Sequence, residues 1–165
     1  MRTNVEGMRL RTLLSTATAT AVTAGVGSMA SRNSQTRWYR RLDKPSFQPP
    51  AEVFPVVGTA LYADIAATSA ATIDRLEAER PEDACAFRRA LAVNLVLNAS
   101  WTWVFFSGRR LPEATVVAGA LAVSSADLAR RAGRADRRLG LALAPYAAWC
   151  GFATVLTDAI RRRNP

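Results

Sequence analysis

The chain has 165 residues, of which half are hydrophobic, and it carries a net charge of +9 with no histidine. The lack of histidine removes the commonest metal ligand, haem ligand and general base from the candidates, and the two cysteines have no metal-ligand spacing. We therefore expect neither a metal site nor catalytic residues. A basic chain of this kind usually binds nucleic acid or lies at an anionic membrane, and the placement of the charges separates these two cases.

Apolar windows with almost no charge recur along the chain, and nearly all lysines and arginines fall between them. The windows are residues 12–31, 53–73, 90–108, 114–126 and 139–157. Four of them have the length of about 20 residues that a transmembrane helix needs, and the fourth in order must be extended across Pro112, Glu113 or Asp127. A soluble bundle with an alanine-rich core is the alternative. Length and charge placement favour a membrane bundle in which small residues let helices approach closely.

Five helices follow from these windows, at residues 10–30, 51–74, 86–107, 113–131 and 137–161. Together they predict a single all-α integral membrane domain over residues 10–165, after an N-terminal tail at 1–9. The first window also has a second interpretation, because two arginines precede it and a small-x-small sequence ends it at residues 28–30, as in a secretory signal. In that case the mature chain would begin near Ser31 with four spans.

The connections between the predicted helices differ in composition and length. Residues 75–85 are charged and contain Pro81, so we expect a solvent-exposed loop there. The connection 108–112 is very short, so the third and fourth helices should be antiparallel neighbours. The connection 132–136 is equally short, and Asp136 is a suitable N-cap for the last helix. Basic residues are almost equally divided between the two sides, so charge counting does not orient the protein.

The stretch from Trp38 to Pro50, WYRRLDKPSFQPP, is too aromatic for a plain linker and too rich in proline for an amphipathic helix. Together with the following VF and TALY, it resembles the first loop and second helix of the tryptophan-rich sensory protein family, also known as TspO/translocator or peripheral benzodiazepine receptor-like proteins. Two later stretches resemble the third and fifth helices of that family. They are LNxxW, FF and RRL between Leu97 and Leu111, and PYxAWxxFAxxL between Pro145 and Leu156.

The resemblance implies five transmembrane helices and a loop, residues 32–50, that covers a pocket at one end of the bundle. Pro45, Pro49 and Pro50 would stiffen this lid. The implied ligand is a hydrophobic molecule, with a porphyrin-type tetrapyrrole as the first candidate and no required cofactor. The expected pocket residues are Trp38, Phe54, Tyr62, Asn94, Asn98, Trp101, Tyr146, Trp149 and Phe152. The expected partners are the lipid bilayer and a second copy in a homodimer, but no nucleic acid.

Simpler roles compete with ligand binding for several of these residues. Asn98 is an amide within an apolar span and needs hydrogen-bond partners, and Asn94 lies one turn earlier on the same face. The two amides either contact a ligand or connect neighbouring helices. The aromatic residues either form a wall for a flat ligand or pack in the core and against lipid. Trp38 has the further alternative of anchoring the chain at the membrane interface.

The chain departs from the family pattern at positions where the family usually has tryptophan, which here are Glu52, Gly58 and Ala99. Some bacterial members are associated with light-dependent porphyrin breakdown that depends on pocket tryptophans. Of two such positions, one is Gly58 and the other resembles Trp149. We therefore favour a binding protein for sensing, sequestration or transport over a porphyrin-degrading enzyme. A structural or regulatory membrane partner with a degenerate pocket is the third alternative.

Overall fold

In the computed structural model, which describes residues 2–31 and 36–165, the chain forms a bundle of long helices. The helices are α1 (Arg2–Ser31), α2 (Arg37–Arg41), α3 (Val53–Glu79), α4 (Pro81–Thr102), α5 (Leu111–Ala135) and α6 (Arg137–Arg163), and a π-helical turn (Trp103–Ser107) continues α4. α3 packs against α1, α4 and α6, whereas α5 packs against α4 and α6. The predicted contact between the third and fourth long helices, α4 and α5, is therefore confirmed.

Five of these helices, all except the short α2, are long and apolar enough to cross a membrane. Their outward faces expose large aliphatic side chains, and Val116 and Val123 of α5 are 72% and 73% exposed. Lipid is the environment in which such faces lie without cost. The fourth apolar window is extended across Pro112 and Asp127, as expected. The predicted all-α membrane bundle of five spans is confirmed.

The predicted solvent loop at 75–85 is wrong, because both flanking helices continue into it. α3 ends at Glu79 and α4 begins at Pro81, so Arg80 alone separates them. Pro81 occupies the first turn of α4, where its missing N–H would have had no helical acceptor. The charged side chains project from helices, and Arg75 pairs with Glu79 at 3.3 Å. These charged residues therefore lie on the water-exposed ends of two helices.

α1 is a packed member of the bundle. It begins upstream of the predicted start, so the backbone of residues 2–9 of the predicted tail is helical. Residue 1 of that tail and residues 32–35 of the predicted lid lie outside the described residues. The Thr16 hydroxyl donates to the carbonyl of Ala66 in α3 at 2.9 Å. The Trp103 indole N–H donates to the carbonyl of Val26 at 3.2 Å. These bonds tie α1 to two neighbours in the bundle.

α5 and α6 form a tight antiparallel hairpin. Asp136, which lies between them, caps α6 as predicted, because its carboxylate accepts the N–H of Arg138 at 2.8 Å. A Cβ atom at Gly140 would lie only 2.6 Å from the Cα of Gly133. The two helices therefore touch through their backbones, an approach that only glycine permits.

Candidate ligand site beneath the loop

The described part of the predicted lid runs over the end of the bundle where α3 and α5 begin and α6 ends. It contains α2, and its aromatic rings pack onto the helices below. Phe47 and Phe152 of α6 have ring centroids 6.3 Å apart, and Trp38 lies 6.0 Å from Phe105 of the π-helical turn. The loop therefore covers this end of the bundle.

Two of the loop prolines close turns along its path. The carbonyl of Pro45 accepts the N–H of Gln48, and the carbonyl of Pro50 accepts the N–H of Val53, both at 3.0 Å. The second turn leads directly into α3. Because each proline ring fixes its own φ angle, these turns reduce the conformational entropy that the loop loses on ordering.

Asn164 fastens the loop to the end of α6. Its side-chain oxygen accepts the N–H of Asp43 and its side-chain nitrogen donates to the carbonyl of Asp43, both at 3.0 Å. The same nitrogen donates to the carbonyl of Ile160 in the last turns of α6 at 2.8 Å. Arg163 adds an exposed ion pair with Asp43 at 3.5 Å. This clasp joins two residues that are 121 positions apart in the sequence.

Three of the predicted pocket residues form an aromatic row beneath the loop. Phe54 of α3 and Trp149 of α6 meet edge to face with ring centroids 5.9 Å apart, and Trp149 lies 5.5 Å from Phe152. Such tilted and edge-to-face pairs are the favoured arrangements of aromatic rings. The aromatic row connects α3, α6 and, through Phe47, the loop.

Trp101 belongs to a second aromatic cluster, which the π-helical turn builds. Its ring stacks on Phe105 with centroids 5.6 Å apart, and Phe106 lies 6.3 Å away. The indole nitrogen of Trp101 is buried and has no hydrogen-bond partner among the described residues. Because a buried donor without a partner costs free energy, Trp101 can gain a hydrogen bond from a ligand that carries an acceptor.

Gln48 of the loop offers the complementary group. Its side-chain oxygen is buried without a partner in the described part of the chain, while its side-chain nitrogen donates to the Tyr39 hydroxyl at 3.5 Å. The Tyr39 ring lies 5.5 Å from Phe106. Burial raises the pKa of the Tyr39 hydroxyl, which keeps this group neutral. An unpartnered acceptor and the unpartnered donor of Trp101 therefore adjoin the same aromatic cluster.

Four further predicted pocket residues form a continuous hydrogen-bond network across the bundle. The Tyr62 hydroxyl donates to Asn98 Oδ1 at 2.6 Å, and Asn98 Nδ2 donates to the Tyr146 hydroxyl at 3.2 Å. Tyr146 donates to Asn94 Oδ1 at 2.7 Å, and Asn94 Nδ2 donates to the Ser125 hydroxyl at 3.0 Å. This polar network joins α3, α4, α5 and α6. It gives the two asparagines the interhelical role that competes with ligand contact.

An open space lies beside Gly58, between the aromatic row and the polar network. Gly58 is one turn from Phe54 and one turn from Tyr62, so the three residues share a face of α3. A Cβ atom at Gly58 would meet no heavy atom of the described residues within 4 Å. Because Phe54 contacts Trp149 and Tyr62 contacts Asn98, the shared face points into the bundle. The open space therefore lies on the inward-facing side of α3, where Gly58 itself is partly exposed.

Trp38 stands apart from the other predicted pocket residues. It contacts Phe105 and lines a surface cavity together with Arg41 and Arg109. Sequence analysis missed Gln48 and Phe105 as site residues. Phe105 lies in a motif that carried the family resemblance, which was a usable signal. Gln48 had no signal, because its position depends on the path of the loop.

Fold and site together define a class: an integral membrane protein of five spans, with a loop over an aromatic and partly polar site at one end of the bundle. The sequence model of the TspO/MBR family matches residues 15–163, which is most of the chain. The chain therefore belongs to the TspO/MBR family, as its motifs indicated, and it is a multi-pass membrane protein.

Individual relatives agree over most of their length. Protein CrtK of Rhodobacter capsulatus is 34% identical, over 78% of this chain and 79% of its own. The tryptophan-rich sensory protein of Cereibacter sphaeroides is 32% identical over 77% of each chain. The translocator protein of Homo sapiens is 33% identical, over 84% of this chain and 82% of its own. The chain is thus similar to both bacterial and animal members.

Proposed function

We propose that the protein binds a flat and mostly apolar ligand of the porphyrin type beneath the loop, for sensing, sequestration or transport. The open space beside Gly58 carries this proposal, because Phe54 of the aromatic row lies one turn away on one side and Tyr62 of the polar network lies one turn away on the other. A tetrapyrrole needs flat apolar walls and a few polar contacts. The names of the relatives, sensory protein and translocator protein, agree with a binding role.

The unpartnered polar groups of the site fit such a ligand. Protoporphyrin IX carries two propionic acid groups at its edge, which accept hydrogen bonds and, when protonated, also donate them. The Trp101 indole nitrogen is a donor and the Gln48 side-chain oxygen is an acceptor, and both are buried without a partner among the described residues. Binding would relieve the cost of leaving these groups unpaired.

A titration of the detergent-purified protein with protoporphyrin IX, followed by quenching of tryptophan fluorescence, tests the proposal. Gly58→Leu fills the open space and should weaken binding about tenfold or more, since overpacking typically costs roughly 1–3 kcal/mol. Gly25→Leu is the matched control, because Gly25 has equally open surroundings on the exposed side of α1. Its Kd should equal that of the wild type. Trp149→Phe should weaken binding by removing part of the wall.

Two results would contradict the proposal. Undiminished saturable binding in Gly58→Leu would place the ligand elsewhere. Absence of saturable binding in a folded, helical wild type would mean that the pocket does not take porphyrins, which favours a structural or regulatory membrane partner.

Illumination of the complex distinguishes a binding protein from an enzyme. The absorbance of bound protoporphyrin IX should decay in light no faster than that of free protoporphyrin IX in the same detergent. We expect this because Gly58 leaves Trp149 without the second indole that the family resemblance associates with porphyrin breakdown. A faster decay that disappears in Trp149→Phe would instead support the enzyme.

A further inference from the structure

A cavity of about 810 Å³ at the loop end of the bundle concentrates positive charge outside the pocket. Trp38 and five arginines contribute to its lining, namely Arg41, Arg109, Arg110, Arg161 and Arg162. The arginines come from three separate segments: the end of α2, the connection before α5, and the last turn of α6. The fold, rather than one basic run in the sequence, therefore builds this basic cavity.

Acidic residues neutralise part of this charge. Arg110 pairs with Glu113 at 2.6 Å. Arg161 and Arg162 share one carboxylate, that of Asp158, each at 2.7 Å. Three of the five arginines therefore already have a carboxylate partner, but two of those three divide a single negative charge.

Arg41 and Arg109 supply the positive charge that no acidic residue in the described part of the chain neutralises. Neither has an ion-pair partner among the described residues, and Arg109 instead packs its guanidinium 5.7 Å from the centre of the Trp38 ring. Even with a terminal carboxylate on Pro165, which also lines the basic cavity, positive charge is in excess. An anion that enters can form charge-assisted hydrogen bonds without displacing a protein carboxylate.

The backbone of Arg109 adopts an unfavourable conformation. Its φ angle of 54° is in the left-handed region that favours glycine. The preceding Gly108 has its own steric requirement, since a Cβ atom there would lie 2.9 Å from the carbonyl oxygen of Val104. The N–H of Arg110 bonds to the carbonyl of Val104 at 3.2 Å, so the left-handed conformation of Arg109 ends the π-helical turn and directs the chain toward α5.

The basic cavity lies at the level of the lipid headgroups. The π-helical turn ends at Ser107, α5 begins at Leu111 and α6 ends at Arg163, so three spans begin or end beside it. A tryptophan ring is also typical of this level. The planar guanidinium group of arginine can donate two parallel hydrogen bonds to the oxygens of a phosphate. We propose that the basic cavity binds the phosphate headgroup of an anionic phospholipid, as a site separate from the ligand site beneath the loop.

Native mass spectrometry of the protein in neutral detergent tests this site, with dioctanoyl phosphatidylglycerol and dioctanoyl phosphatidylcholine as probes. The wild type should retain phosphatidylglycerol about tenfold more strongly than phosphatidylcholine, because only the former adds net negative charge. The double variant Arg41→Gln, Arg109→Gln should lose this preference. The matched control Arg137→Gln, Arg138→Gln removes the same charge from exposed arginines at the opposite end of the bundle and should keep it.

Arg109→Gly gives a second test that does not depend on how the double variant folds. Glycine accepts the positive φ angle, so its thermal unfolding temperature should equal or exceed that of the wild type, while its preference for phosphatidylglycerol should fall. Equal retention of both lipids by the wild type, or an equal loss in the two double variants, would overturn the site. Glycerol 1-phosphate that displaces the lipid at equal concentration would overturn the lipid assignment in favour of a soluble phosphate ester.

Discussion

At the scale of single residues, the polar network shows how polar groups persist inside a membrane bundle. The Tyr146 hydroxyl accepts from one asparagine and donates to the other, so Asn94 and Asn98 are bonded through the same atom. The Tyr62 hydroxyl donates to the side-chain oxygen of Asn98. In lipid, a polar group without a protein partner cannot form a hydrogen bond with water instead. The network therefore fixes how α3, α4 and α6 lie relative to one another.

Removal of the central hydroxyl should be costly. Tyr146→Phe leaves Asn94 Oδ1 and Asn98 Nδ2 each without one partner, and we expect the free energy of unfolding to fall by about 1–2 kcal/mol. Equilibrium unfolding in mixed micelles measures this change. Tyr39→Phe is the matched control, because the one hydrogen bond of the Tyr39 hydroxyl within the described ranges is long, at 3.5 Å from Gln48. An equal loss in both variants would show that the network carries no special stability.

The sequence predicted part of this arrangement. The four-residue spacing of Asn94 and Asn98 placed both amides on one face, and their position in an apolar span demanded partners. The identity of those partners could not be predicted from spacing, because it depends on the vertical register of three helices. Tyr62 and Tyr146 were assigned to an aromatic wall, and the structure uses their hydroxyl groups for the network.

At the scale of helices, small residues decide how closely the elements approach. The α5–α6 hairpin turns within one residue and closes through Gly133 and Gly140, so the two helices stay in contact from their connection onward. The ends of the helices were the least predictable feature. Charge and Pro81 in residues 75–85 indicated a loop, but they equally suit two helix ends that leave the membrane.

A methyl group at the close approach should separate the hairpin. The Cβ atom of Gly140→Ala would lie 2.6 Å from the Cα and 2.9 Å from the backbone nitrogen of Gly133. We expect the free energy of unfolding to fall by roughly 1–3 kcal/mol, as for other overpacked sites. Gly25→Ala, where the surroundings are open, should leave stability unchanged or slightly higher. Unfolding curves that coincide for Gly140→Ala and the wild type would refute the close contact.

At the scale of the whole molecule, the five spans assign the two ends of the bundle to opposite sides of the membrane. The loop and the end of α6 lie at one end, and the α3–α4 turn lies at the other. Length and charge placement predicted the number of spans. They did not predict the site, because the aromatic row, the polar network and the loop meet only after distant segments have packed.

Cysteine labelling checks this topology. Cys85 is exposed near the α3–α4 turn, whereas Cys150 is buried. In sided vesicles, a membrane-impermeant maleimide should label Cys85 from one side, and Cys150 should react only after denaturation. Ser46→Cys in a Cys85→Ser background places the thiol on the exposed loop and should be labelled from the other side. Labelling of both positions from the same side would disprove the arrangement of spans.

The clasp between Asp43 and Asn164 has a consequence for the order in which the protein is made. The loop follows the first span and leaves the ribosome early, but Asn164 follows the fifth span and emerges more than a hundred residues later. Until α6 has been inserted, Asp43 has no such partner and the aromatic row lacks Trp149 and Phe152. The loop can therefore settle over its site only after the last span is in the membrane, which makes its docking a late step of biogenesis.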